Sequence, residues 1–476
     1  MERKKIRRVL GVVSIVAVCL AVQSCTTKAA KRSKEFGKSV DEGDYIATID
    51  NMKANSKKLY GETNAFLYYM DIGVLYHYSG LYDSSSVYLT KASDVYDELF
   101  AKSVTNEAAA VLTNDNVRPY RAKPYELVFM HQIAAFNFMA QGRFDEALVE
   151  TRKVQLYFNE WERTVAKSKK YYTDGMFHLF SSLAYERAGD ESDSHISLYK
   201  SVEAYKLGPV PLPAEIRGFA YDRLLAGDRE EDVKTLALTP NDGANKWDAK
   251  QGQAEIVIIG YAGKGPNLIE QVLSAGYVPG VGMYLYTTTK GGKKEKSEAI
   301  PIVLPAGTAT VSGMTYNIKL SLPKVETNAS KTSYFQAQSG GKSYKSVVVN
   351  DIDKQTQKAL DDAWMDILMR TAVRVVVRTI ATQQVKKRTA IDNPLLNLGK
   401  NVLMDVGANQ LEKADTRMCF MLPQKVLAVR IPVEPGTHTV TLDVYDDAGG
   451  VIGKKEYTDV QVGRGEKKVL FHNSLR

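Results

Sequence analysis

Tyr69-Met-Asp-Ile-Gly-Val-Leu-Tyr-His-Tyr-Ser-Gly80-Leu-Tyr-Asp-Ser-Ser-Ser-Val-Tyr-Leu-Thr-Lys-Ala92 is the stretch from which the fold is read. Large and small residues recur at three- and four-residue spacing, as Tyr69, Ile72, Gly73 and Tyr76 before Gly80 and as Tyr82, Ser85, Leu89 and Ala92 after it. That period is helical. Gly80 falls where a first helix has to end in a left-handed conformation, which glycine adopts without a Cβ penalty, so the stretch is predicted to be a helical hairpin. The small residues let paired helices approach closely, and the aromatics fill the space between turns.

The same order recurs twice, as His131, Ala134, Ala135, Phe138, Gly142, Phe144, Ala147 and as His178, Ser182, Tyr185, Gly189, Ser194, Leu198, with a fainter copy around Ala220, Gly227 and Val233. The pattern resembles the tetratricopeptide repeat. It departs from that family in spacing: the three clear glycines are 62 and 47 residues apart, where the family repeats at about 34, so insertions or lone helices separate the copies. A generic helical bundle with coincidental glycines is the competing account. The helical period runs from Glu35 to about Leu236 and holds eighteen of the 27 tyrosines. If the alignment holds, the resemblance implies a shared groove lined by first-helix positions: Met70, His77 and Tyr78, then Gln132, Phe136 and Met139, then Leu183, Glu186 and Arg187. Such an apolar, methionine-rich groove suits an amphipathic helix or an extended peptide, unless the chain's own residues fill it.

A turn-rich stretch at Thr239-Pro-Asn-Asp-Gly-Ala-Asn breaks the helical pattern, and Ala254-Glu-Ile-Val-Ile-Ile opens a strand-like one. The expected domains are therefore 35–245 and 250–476. Strands are predicted at Ala254–Gly260, Gly282–Thr288, Ile300–Leu304, Ala309–Leu322, Tyr344–Val349, Val426–Val433, Gly436–Tyr445, Lys454–Val462 and Lys467–Phe471, with a lysine-rich hairpin tip at Lys290 and helices at Ile352–Lys387 and Leu395–Lys413. The fold class is thus α+β: a TPR-like helical domain, then a mixed, mainly antiparallel β domain with two inserted helices. Asp362, Asp366, Arg370, Arg374 and Arg378 recur every fourth residue on the first of these helices, a slanting charged ridge in an otherwise apolar helix. It either docks an acidic surface, of a partner or of the helical half, or closes internally in salt bridges.

The first 24 residues read as a signal: a basic start, an apolar run from Val9 to Val22 too short to span a bilayer, and a small residue before Cys25. Val22-Gln23-Ser24-Cys25 resembles the lipobox of bacterial lipoproteins. That resemblance implies acylation of Cys25, a basic tether at 25–34, and, with no aspartate after the cysteine, an outer-membrane lipoprotein facing the periplasm. The signal carries five basic residues and one acidic, so the formal charge of +8 becomes +4 in the mature chain. No dense basic stripe remains, which argues against nucleic acid. Of the 3 cysteines, Cys19 is in the signal and Cys419 has no disulfide partner.

Catalytic signatures are sparse. Gly260-Tyr-Ala-Gly-Lys-Gly-Pro lacks the Walker A spacing, and Pro266 removes an amide donor, so it reads as a turn and not a nucleotide site. The 6 histidines have no metal-ligand spacing, and Cys419, between Met418 and Phe420, reads as a core thiol. No cofactor or metal is expected. Ser182-Leu-Ala-Tyr-Glu-Arg-Ala-Gly-Asp, the Ala254 strand, the arginine-bearing helix and Lys413-Ala-Asp-Thr-Arg before Leu422-Pro423 together resemble a family of uncharacterised bacterial lipoproteins with tetratricopeptide-like helices. The resemblance implies a non-enzymatic scaffold or adaptor in cell-envelope assembly, binding a protein partner such as another envelope lipoprotein. The alternatives are a peptidoglycan- or glycan-binding lipoprotein and, behind it, a cryptic hydrolase.

Overall fold

The computed structural model describes residues 28–102, 115–164, 173–239, 247, 252–288, 294–306, 308, 310–311, 313–388 and 412–475. The signal, Cys25, the Lys290 tip and all but the last two residues of the expected Leu395–Lys413 helix lie outside them; Glu412 and Lys413 are not helical. Helices come first and sheets second, an α+β order. The helical half comprises α1 (Lys28–Asp41), α2 (Tyr45–Ala54), α3 (Ser56–Leu59), α4 (Ala65–Tyr78), α5 (Tyr82–Lys102), α6 (Pro124–Ala140), α7 (Phe144–Thr164), α8 (Gly175–Ala188), α9 (Glu191–Leu207), α10 (Ala214–Ala226) and α11 (Glu230–Thr235). Three antiparallel hairpins, α4–α5, α6–α7 and α8–α9, turn at Gly80, Gly142 and Gly189, whose φ values of 74°, 74° and 81° are the left-handed turn predicted. Between α10 and α11 the positive φ falls on Asp228 instead of Gly227. Hydroxyls tie the hairpins internally: Ser85 Oγ donates to Gly73 O at 2.7 Å, and Ser194 Oγ to Ser182 O at 2.9 Å.

Twelve strands follow among the described residues: β1 (Glu255–Lys264), β2 (Asn267–Val278), β3 (Gly282–Thr288), β4 (Lys294–Lys296), β5 (Tyr316–Glu326), β6 (Tyr334–Ser339), β7 (Lys342–Lys345), β8 (Val347–Asp351), β9 (Pro423–Pro432), β10 (Gly436–Tyr445), β11 (Val451–Val462) and β12 (Lys467–Ser474). One long helix, α12 (Ile352–Arg388), is inserted after β8. The strands form a central sheet β12-β1-β9-β8, an outer sheet β11-β10-β6-β7 and a third sheet β4-β3-β2-β5. All pairs are antiparallel except β1 with β12, which run parallel with Glu255 beside Lys467. Three strands, β2, β4 and β6, were not expected, the expected Tyr344–Val349 strand is divided at Ser346 between β7 of the outer sheet and β8 of the central one, and the expected Ile300–Leu304 strand does not form. Only Ile300 bridges, to Met283, because Pro301 and Pro305 cannot donate to a ladder. The segment expected to begin at Ala309 enters a strand only at Tyr316.

The central sheet lies between two layers. Its Val257, Ile259, Tyr261 and Val469 side pack into one continuous core with the helical half, from Phe36 to Leu475. Its Ile256, Ile258, Leu427, Val429 and Ile431 side pack on Phe335, Ala337, Val440 and Leu442 of the outer sheet. The turn-rich stretch near 240 therefore divides the secondary structure and leaves the core undivided. β1 is buried on both faces, which explains its unbroken apolar run. A Cβ on Gly260 would lie 1.8 Å from the Phe335 ring, so Gly260→Ala is expected to cost about 1–3 kcal/mol by overpacking. Gly260→Ala with Phe335→Leu should recover part of the lost urea midpoint; no recovery would mean the ring is not the obstacle.

A smaller core joins Ala275, Tyr277, Ile318, Leu320 and Leu322 of the third sheet to Leu368, Ala372, Val375, Val376 and Ile380 of α12. Among the described residues no helix is long and apolar enough to cross a membrane.

Candidate functional site

The face expected to form a groove is covered by the chain itself. Met70, His77, Tyr78, Gln132, Phe136, Met139 and Leu183 are buried, Glu186 nearly so, and only Arg187 is exposed. His77 sits in a cage of Tyr78, Tyr82, Tyr261 and Phe471 rings. Its Nδ1 meets Asn137 Oδ1 at 2.7 Å and its Nε2 meets the Tyr261 hydroxyl at 2.8 Å. Asn137 Nδ2 donates to Ser85 Oγ, which turns its oxygen toward His77. Nδ1 is thus the protonated nitrogen and Nε2 accepts from Tyr261, as assigned from this network. Burial holds the His77 pKa down at about 4. Tyr78 donates to Met421 O at 2.9 Å, and Phe136 packs on Phe471. The two halves therefore meet through the residues expected to be free.

Glu186 belongs to a buried charge cluster at the start of β1. Arg430 grips Glu255 with Nε to Oε2 at 2.7 Å and Nη2 to Oε1 at 2.8 Å. Lys467 bonds Glu255 Oε1 and reaches Glu186 Oε1 at 3.0 Å, and Arg223 Nη2 reaches the same Glu186 oxygen at 2.6 Å. The register places Lys467 on the parallel neighbour and Arg430 on the antiparallel one, so sheet pairing assembles the cluster. Burial raises the Glu186 pKa, but Arg430, Lys467 and Arg223 outweigh it and hold the carboxyl at about 2. Glu255 is likewise penalised by burial and pulled below the ordinary range by Arg430 and Lys467. The Arg430 guanidinium also stacks 4.4 Å from the Phe219 ring centre.

Residues 412–422 form an irregular strap across the first two hairpins, and buried carboxylates supply the hydrogen bonds it lacks from a ladder. Asp71 Oδ1 accepts from Phe420 N at 2.8 Å, Met421 N at 3.2 Å and Cys419 Sγ at 3.0 Å, while its Oδ2 accepts from Tyr60 at 2.8 Å. Glu126 Oε1 accepts from Cys419 N at 2.8 Å. Arg417 donates to Arg118 O and Asp115 O at 2.8 and 2.7 Å. Burial first, then Asp71, pushes the Cys419 thiol up, so it is a poor nucleophile. Asp71→Ala would leave two buried amides unpaired and is expected to cost about 3 kcal/mol. In a Cys25→Ser background it should also speed modification of Cys419 by a thiol reagent; an unchanged rate would show that Asp71 does not hold the strap.

The charged ridge closes mostly on the chain. Arg374 and Arg378 clamp the buried Glu412 at 2.6 and 3.0 Å. Arg370 approaches Asp115 of the helical half at 3.9 Å and its Nε donates to Asp366 O at 3.4 Å, while Asp362 pairs with Lys358 at 2.6 Å. Glu412, the acid that matters, escaped notice because 38 residues separate it from Arg374. The Gly260–Pro266 stretch expected as a turn is instead strand as far as Lys264, the end of β1, where β9 pairs with it, and only Gly265 and Pro266 link it to β2; Lys264 pairs with Asp41 of α1 at 2.8 Å.

One chemically distinctive cluster remains half-exposed. Tyr68, Tyr69 and Tyr76 of α4 and Tyr88 of α5 form a chain of ring contacts, with centroid distances of 5.2 Å (Tyr68–Tyr69), 6.3 Å (Tyr69–Tyr88) and 5.5 Å (Tyr76–Tyr88). Lys53 donates to the Tyr76 hydroxyl at 2.6 Å, which raises its pKa, and Lys91 stands 4.9 Å over the Tyr88 ring. The repeat spacing places Tyr69 and Tyr76 at packing positions, does not single out Tyr68 or Tyr88, and gives no sign of their exposure. Compared with known proteins, the chain matches no protein-family model and no curated protein sequence.

Proposed function

We propose that the chain is a lipid-anchored scaffold or adaptor, held at the periplasmic side of a bacterial outer membrane through Cys25, that binds a protein partner in envelope assembly and carries out no reaction. The reading is supported by where the buried charges go. Glu186, Arg223, Glu255, Arg430 and Lys467 satisfy one another across the junction of the two halves, and Asp71 and Glu126 bind the strap. Groups of the kind that do acid–base work are thus spent on rigidity. The hairpins with left-handed glycines support a tetratricopeptide-like origin for the helical half, although its groove is filled from within.

Partner contact then falls to an outer face, and the tyrosine cluster of α4 and α5 has the composition that dominates protein–protein hot spots. Rigid, amphipathic rings give large contact area at low entropic cost. Mature protein used as bait in envelope extract should retain a defined protein. Tyr69→Ser with Tyr88→Ser should release it, while Lys454→Glu with Lys455→Glu on β11 should not. Retention on purified wall sacculi without a protein partner would favour the glycan-binding reading, in which the same rings stack on sugars. Turnover of a wall fragment by the bait would overturn both.

A further inference from the structure

Only one side of the third sheet packs on α12. Leu273, Ala275 and Tyr277 of β2 and Ile318 and Leu320 of β5 face that helix, so the residues between them point the opposite way. Ladder pairing sets those residues in rows: Asn317, Gly276 and Tyr284 form one, and Lys319, Ser274 and Tyr286 form the next, which Lys296 of β4 extends. The strap closes the far end of this side, where Leu268 and Val325 pack on Met418 and Glu270 accepts from Ala414 N at 2.9 Å. Toward β3 the side is open: Ser274, Asn317, Lys319 and Lys296 are exposed, and both tyrosines are half-buried.

Two details shape this surface. Tyr286 lies down along the strands, because a Cβ on Gly276 would stand 2.2 Å from its hydroxyl oxygen and only glycine leaves that space. Lys296 holds its Nζ 5.6 Å from the Tyr284 ring centre. Neither Lys296 nor Lys319 is ion-paired among the described residues. Glu295, opposite Thr287, alternates to the other side of β4, and Glu270 is tied to the strap at the closed end. The ladder positions of the open end therefore carry only positive charge, beside flat aromatic rings and small polar side chains.

We infer that this open side docks an acidic polysaccharide, a chain of sugar rings bearing carboxylates. The tyrosine rings suit the C–H faces of sugars, the lysines match the carboxylates, and Ser274 and Asn317 supply hydrogen bonds for sugar hydroxyls. The choice of a sugar chain rests on the exported, envelope-facing reading proposed above, and two lysines are few for a polynucleotide, which is charged at every residue. The adaptor thus takes its protein partner on the tyrosines of α4 and α5 and an acidic glycan on the third sheet.

The test runs the mature chain with Cys25→Ser in native gels that contain a polymer. Polygalacturonate should retard it, with an affinity at least about ten-fold above that for dextran, which lacks the charge, and for polyglutamate, which lacks the rings. Tyr284→Ala with Tyr286→Ala should weaken polygalacturonate binding about ten-fold. Lys296→Glu with Lys319→Glu should weaken it as much and flatten its salt dependence. If the tyrosine variant does not fold, the lysine pair, on exposed side chains, decides. Lys454→Glu with Lys455→Glu on β11 should leave binding intact. Equal binding to dextran or polyglutamate, tighter binding to polyuridylate, or no loss in the lysine pair overturns the inference. Tyr69→Ser with Tyr88→Ser should keep polygalacturonate binding while releasing the protein partner, so a failed glycan face and a failed adaptor reading give different results.

Discussion

Acidification from pH 7 to pH 4 is expected to remove several kcal/mol of stability, a large part of the roughly 5–15 kcal/mol typical of a folded protein. Burial holds the pKa of His77 at about 4 and of His178 at about 3, and burial with Lys455 nearby holds that of His472 at about 4, all from an ordinary 6.5. In each case the folded value lies below the unfolded one. The unfolded chain therefore takes up protons below pH 6.5 that the folded chain refuses, so stability is complete above 6.5 and falls with pH until the folded values are reached. One fully buried histidine shifted from 6.5 to about 4 contributes roughly 3 kcal/mol over that window. Glu186, held at about 2, adds a further loss only below 4.5. Urea midpoints measured at whole pH units from 8 to 4 should be level down to about 6.5 and then drop steeply. His77→Gln should lower the midpoint at pH 7 and flatten the drop. A wild-type midpoint unchanged between pH 6.5 and 4.5 would show that these rings are protonated without cost in the fold.

The second large effect is expected at Glu255. Its carboxylate is fully buried between Arg430 and Lys467. Removing one member of a buried ion cluster leaves the others without compensation, so Glu255→Ala is expected to cost about 3–5 kcal/mol. Replacing Glu255 and Arg430 together by Met should cost less than Glu255→Ala alone, because a paired deletion strands one charge fewer. Chemical denaturation of the two variants measures the difference. A double variant weaker than the single one would mean that the pair contributes net stability instead of mutual neutralisation. Lys467 should then be examined for a shift toward Glu186, 3.0 Å away in the wild type.

Much of this architecture was readable in the residues. The glycine turns followed from Gly80, Gly142 and Gly189, and β10 was bounded correctly at Gly436 and Tyr445 by its turns and alternation. β2 was missed because Leu268-Ile-Glu-Gln-Val-Leu places apolar residues at helical intervals, and its middle is exposed on both faces. β6 was missed because Gln336-Ala-Gln338 has weak strand preference and relies on β10 alongside it. The candidate site was less readable. A groove-lining residue and a core residue have the same composition, so nothing in Met70 or Phe136 announced that β12 and the strap would cover them. Pairings such as Arg374 with Glu412 or Asp71 with Phe420 join distant positions, and single-residue patterns carry no record of them.

The parallel pairing of β1 with β12 has a consequence for how the molecule is made. Lys467 is 212 residues downstream of Glu255, so the middle layer cannot close until the chain has emerged at least as far as Lys467. Until then β1 offers a naked hydrophobic edge on the side away from β9, and Glu255 lacks its Lys467 partner. Biogenesis must therefore include a waiting period in which the nascent product is vulnerable to clumping and proteases, and products cut short before Lys467 should be cleared instead of accumulating.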